Sequence, residues 1–176
     1  GMLSTVVALG QPMIYMGQEY GVERERNRID VDWLKHDETS QFYQWTKGLF
    51  HLRRRYPGLK LYGYNPADEG LFTWVIGPWL GDKRGGGHRV IGWRTHDQGD
   101  PWERILVLLN FEGKDITVDL DLIPGRWIKL ADIEQVNDIP PIGSKRLNDW
   151  DNLNTDGQFH NFVLPPYSGF IYKYAP

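Results

Sequence analysis

At 176 residues the chain can hold one good core, or one small domain plus a fragment of another, and the pattern below favours the second. With 40% hydrophobic and 24% charged residues it reads as neither disordered nor membrane-embedded, and a net charge of -3 argues against a nucleic-acid-binding surface. The absence of cysteine excludes a disulfide scaffold and thiol chemistry and leaves the compartment open.

The chain begins Gly1-Met2, which reads as a protease-cleavage remnant followed by a methionine that is either a start or an internal residue. Residues 3–9 (LSTVVAL) read as the end of a helix stopped by Gly10 and Pro12; the run is too short to span a bilayer and lacks a basic flank. Met13, Ile14, Tyr15 and Met16 then form a continuous apolar run closed by Gly17, Gln18 and Glu19, the pattern of a strand buried on both faces. Residues 20–38 are a long charged connection. A helix is predicted from about Ser40 to Tyr56, with Phe42, Trp45, Leu49, Phe50 and Leu52 on one face. Arg53, Arg54 and Arg55 fall in its last turn and read as charges favourable to the helix dipole, before Pro57-Gly58 ends it. A buried strand followed by an amphipathic helix is one unit of an α/β layer, and one unit cannot bury its own faces.

From Leu61 onward the pattern turns to strands, predicted at 71–76, 89–94, 104–111, 115–120, 126–131, 158–164 and 169–174. Runs of this kind without intervening helices indicate an antiparallel β-sandwich or barrel. The segments ILVLLNF and ITVDL around Glu112-Gly113-Lys114 make a hairpin candidate, and 77–87 and 132–157 read as irregular inserts.

The succession GQPMIYMGQEYG, RNRIDVDW, FYQWTKGLFHLRRRYPGL, ILVLLNFEGKDITVDL and FVLPPYSGFIYKY resembles the C-terminal third of the α-amylase family, glycoside hydrolase family 13. The resemblance implies a mainly β fold, with a partial (β/α)8 barrel remnant (helix end, eighth strand and eighth helix) over 1–61 and a C-terminal antiparallel β-sandwich over 62–176. It also implies an α-glucan as substrate class; the residue patterns here call for no cofactor. In the resembled enzymes the paired carboxyl groups, about 5 Å apart for retaining chemistry, and a third aspartate come from the fourth, fifth and seventh barrel strands. This chain starts after all three, so the isolated chain is expected to be inactive.

Glu19, at the end of a barrel-type strand, resembles a supporting residue of such a site. The sequence Thr95-His96-Asp97-Gln98 is superficially like the family's Asn-His-Asp motif but follows the eighth strand instead of preceding it, and reads as a turn. Aromatic faces suit sugar rings, and eight tryptophans are present. Trp79, Trp102 and Trp150 lie in polar or Gly- and Pro-rich stretches and are the candidates for glucan binding, together with Trp33 in the RNRIDVDW block. Trp45, Trp74, Trp93 and Trp127 sit in helix or strand runs and read as packing residues. The Asp149 to Asn152 stretch matches no calcium loop, the 85–87 glycine run opens no helix, and no metal is expected. Two alternatives stand beside this reading: a free-standing carbohydrate-binding module, and an assembly piece whose exposed barrel remnant is covered by a second copy or a partner chain.

Overall fold

The structure, a computed structural model, describes residues 1–15, 17–21, 37–61, 70–77, 89–96, 104–137 and 152–175. Two α-helices, α1 (Met2–Val7) and α2 (Gln41–Arg55), precede eight strands: β1 (Phe72–Ile76), β2 (Val90–His96), β3 (Arg104–Asn110), β4 (Ile116–Asp121), β5 (Gly125–Ala131), β6 (Leu153–Thr155), β7 (Gln158–Leu164) and β8 (Gly169–Ala175). They form a six-stranded sheet in the order β1-β2-β3-β8-β5-β6 and a two-stranded sheet of β4 and β7, with every pairing antiparallel. The mainly β, sandwich-type fold expected from the turn-bounded strand runs is the fold found.

The burial pattern of each strand follows from its place in these layers. Every residue of β3 from Ile105 to Asn110 is buried, whereas β4 alternates buried and exposed. Ile105, Val107 and Leu109 of β3 join one apolar cluster with Leu3, Val6 and Val7 of α1 and Trp45, Leu49 and Leu52 of α2. Leu106 and Leu108 join a second cluster with Ile116, Val118 and Leu120 of β4 and Phe162 and Leu164 of β7. The large sheet is therefore the middle layer, with helices on one face and the β4–β7 ribbon on the other, and a strand in that position needs apolar residues on both faces. Each fully buried aliphatic side chain contributes on the order of 1.5–3 kcal/mol.

The hairpin expected between β3 and β4 does not form. Both edges of β3 are occupied, one by β2 (Val90↔Asn110 to His96↔Arg104) and the other by β8 (Ile105↔Lys173 to Leu109↔Gly169). β4 consequently crosses to the second sheet and pairs with β7. The second irregular insert likewise contains a strand, since β6 extends the sheet edge through Trp127↔Leu153 and Gly125↔Thr155. Three residues ending in Asn-Thr are too few to show a period.

In the helical layer, Ser40 caps α2 by accepting from the Tyr43 N–H at 3.2 Å. Trp45, Leu49 and Leu52 are buried as the apolar face requires. Arg54 and Arg55 are exposed as expected of helix-end charges, but Arg53 is not. It is 4% exposed and its guanidinium donates to the carbonyls of Val6 (2.5 Å), Ala8 (2.9 Å), Leu59 (2.8 Å) and Gly10. Position 53 lies one turn beyond Leu49 on the buried face, so its charge is spent on carbonyls at the end of α1, which the helix itself leaves unpaired.

The strand expected at 13–16 is also corrected. Residues 11–15 carry no strand ladder, Met13 is 85% exposed and Tyr15 41% exposed, and Met16 lies outside the described residues. An apolar run becomes a parallel strand only against neighbours that take its backbone hydrogen bonds. Thr95 and His96 end β2, with Thr95 buried and donating to the Gly58 carbonyl at 2.6 Å; Asp97 and Gln98 lie outside the described residues.

Candidate functional site

Of the sequence-predicted site residues, Glu19 is placed by the structure, while Trp33, Trp79, Trp102 and Trp150 lie outside the described residues. Trp45, Trp93 and Trp127 are buried and Trp74 packs partly buried against the helix-side cluster, as expected of packing residues.

Glu19 sits in a single 3-10 turn, Gln18–Tyr20, bracketed by Gly17 at φ +96° and Gly21 at φ +72°. A Cβ is disfavoured at both positions, so the Gly-Gln-Glu-Tyr-Gly spacing itself dictates the turn. The Glu19 carboxylate folds back to accept the Gly17 N–H at 2.9 Å, and the Gln18 side-chain carbonyl accepts the Tyr15 N–H at 2.8 Å. Tyr20 stacks on Tyr43 of α2 with ring centroids 5.1 Å apart and planes 4° from parallel, which docks the turn on the helix. Glu19 is half-buried, with capacity left to accept from a hydroxyl. One carboxylate of this kind can orient a sugar but does not make the acid and nucleophile pair that glycoside cleavage requires. Among the described residues no cluster of three or more His, Cys, Asp or Glu side chains could hold a metal ion.

A second feature is built where two turns meet. The turns Glu112-Gly113-Lys114 and Pro165-Pro166-Tyr167-Ser168, from two of the sequence blocks quoted above, interlock around the buried Asn110. Its carboxamide nitrogen donates to the carbonyls of Lys114 (3.0 Å), Leu164 (3.0 Å) and Pro165 (2.7 Å), and its oxygen accepts the Glu112 N–H at 2.8 Å. The Tyr167 N–H donates to the Glu112 carbonyl at 2.9 Å. Tyr167 stands 73% exposed at φ +49°. The available sequence signal is the aromatic residue after Pro-Pro, where the chain must turn and a core position is improbable on pattern alone.

Displaced pKa values occur on β2 and β4. Burial, then the like charge of Arg104, lowers that of Arg94. The Asn161 backbone N–H, aided by His160, holds the Asp119 carboxyl below its ordinary range. Neither belongs to the Glu19 turn.

No protein-family model matches the chain, and the search of curated proteins finds no match. Among solved structures, the fold is similar to the pullulanase of Bacillus acidopullulyticus (TM-score 0.64, 18% identity), over 98% of this chain and 19% of that one. It is similar to the pullulanase of group B Streptococcus (TM-score 0.65, 16% identity), over 99% of this chain and 27% of that one. A pullulanase from Anoxybacillus sp. LM18-11, solved with maltotriose, matches at TM-score 0.64 and 15% identity over 99% of this chain and 22% of that one. The chain thus spans about a fifth to a quarter of the length of the structures it matches.

Proposed function

We propose that this chain is the C-terminal portion of an α-amylase-family enzyme acting on α-glucans, with a structural and glucan-binding role and no glycosidase activity of its own. In this reading residues 1–61 are the end of a (β/α)8 barrel and residues 62–176 are its C-terminal β-sandwich. The observation that carries it is the near-complete overlap of the chain with a minor part of three pullulanases. The ordered sequence blocks support it too, as does the exposed, unladdered segment at Met13 and Tyr15, which a neighbouring barrel strand would pair. Glu19 and the tryptophans Trp33, Trp79, Trp102 and Trp150 are its proposed sugar contacts.

The test is a calorimetric titration of the purified chain with maltoheptaose, alongside a reducing-sugar assay on pullulan and maltoheptaose. Saturable binding without turnover is expected, weakened by alanine at Glu19 or at one of the four tryptophans. Turnover by the pure chain that disappears in Glu19→Ala would overturn the non-catalytic reading, and no binding at millimolar sugar would overturn the glucan-binding role.

A second reading, an assembly piece, draws on the exposure of Met13 and Tyr15. A second copy or a partner chain would cover that face. A monodisperse monomer by light scattering at high concentration removes the homodimer form of this reading.

A further inference from the structure

Among the described residues, the exposed large apolar side chains are Met13, Tyr15, Phe42, Phe111, Ile133, Val163 and Tyr167. Four of them, Phe42, Phe111, Ile133 and Tyr167, line one half-open cleft of about 250 Å³. The cleft opens where the starts of α1 and α2, the end of β3 and the turn into β8 meet. Exposed apolar side chains scattered singly need no explanation, but a concentration on one concavity does.

Tyr167 is the least ordinary of the four. Its backbone at φ +49° lies in the left-handed region, which a tyrosine enters only at a cost, and its ring is 73% exposed, so no core contact compensates. The turn is nevertheless held in place by the N–H bond to the Glu112 carbonyl and by Asn110. The phenolic end of the ring rests over Gly113, where a Cβ would come within 2.8 Å of the tyrosine oxygen. The fold thus strains a residue in order to hold a flat aromatic face in water at the rim of a cleft.

The polar lining narrows what could lie on it. No side chain among the described residues that line the cleft is charged; its one charge is the α-ammonium of Gly1 at the chain start, with no second cation beside it to grip a phosphate or a carboxylate from two sides. The Ser4 hydroxyl donates to the Gly1 carbonyl at 2.6 Å and the Ser168 hydroxyl to the Pro165 carbonyl at 2.7 Å. Each has spent its proton and offers lone pairs, while the amide protons of Asn110 are fully used. A ligand that lays an apolar ring face on Tyr167 and brings O–H donors for these lone pairs suits this surface, which describes a pyranose. The volume, just below the roughly 300–1,000 Å³ of small-molecule sites, suits about one or two rings.

We propose that this cleft is a carbohydrate subsite that seats a short stretch of neutral α-glucan on the Tyr167 face; the choice of glucan rests on the function proposed above. The test uses the full chain, maltotriose as probe, and calorimetry with amide-resolved NMR. Shifts are expected at Phe42, Phe111 and Tyr167. Tyr167→Gly, which suits the left-handed backbone, should keep or raise the urea midpoint while weakening maltotriose binding about tenfold. Tyr167→Phe should bind within about threefold of the parent chain. Unchanged affinity in Tyr167→Gly, or shifts confined to other residues, overturns the subsite and leaves the glucan reading standing. Absence of maltotriose binding by the parent chain overturns both.

Discussion

Replacing Arg53 by methionine keeps most of the buried stem and removes a guanidinium that holds four carbonyls. Two of those bonds, to Val6 and Leu59, are buried; those to Ala8 and Gly10 are partly buried and can be taken over by water. Each buried acceptor left unpaired costs about 1–3 kcal/mol, and losing one partner of a buried charged network typically costs about 3–5 kcal/mol. The expected loss is about 3–5 kcal/mol, at least about a fifth of the 5–15 kcal/mol typical of a domain. With a urea slope of about 2 kcal/mol/M the midpoint should fall by about 1.5–2.5 M. Arg53→Lys should recover less than half of this, because a point charge on a flexible stem cannot fork to carbonyls from α1, the segment after it and the turn after α2. The assay is urea unfolding followed by tryptophan fluorescence, with the slope fitted for each variant. A midpoint shift under about 0.5 M at unchanged slope would refute the claim that this side chain ties α1, Gly10 and Leu59 together.

Asn110→Ala should cost about 2–4 kcal/mol, because it leaves the Lys114, Leu164 and Pro165 carbonyls and the Glu112 N–H without their common partner. Asn110→Asp near neutral pH should be no better, since it faces those carbonyls with a second acceptor; chemical unfolding of both variants checks this, and near-parental stability would refute it. For Asp119 the folded pKa is depressed, chiefly by the Asn161 N–H. Its contribution to stability is therefore present above the ordinary carboxylate value and lost as pH falls through the lower folded value. His160→Ala should move the Asp119 titration part of the way back up while the Asn161 bond keeps it depressed; a carboxyl-detected NMR titration that finds no upward movement would contradict the assignment of His160 as a contributing cause.

Most strand positions were legible because each is bounded by turn residues and carries its own period. The continuous run of β3 announces burial on two faces and the alternation of β4 announces burial on one. The Ser40 cap is a local consequence of local sequence. Pairing is another matter. A strand presents the same backbone donors and acceptors to every neighbour, so nothing in ILVLLNF or ITVDL says that β8, arriving from the far end of the chain, will take the edge that β4 could have used. Asn110 reads in the sequence as one more position of the 104–111 strand and is in fact the peg between two turns, donating to the Pro165 carbonyl 55 positions away.

Sequence alone therefore determined the mainly β class, the helix with its capped start, the packing role of Trp45, Trp93 and Trp127, and the glycine-bracketed turn that carries Glu19. All of these depend on short-range periodicity, apolar character or allowed backbone angles, which neighbouring residues carry in full. Tertiary structure alone decided the sheet order, the burial of Arg53, the exposure of Met13 and the strained, outward-facing Tyr167. Each of these depends on whether a distant segment arrives to accept a hydrogen bond or cover a face, and that information is spread over the whole chain.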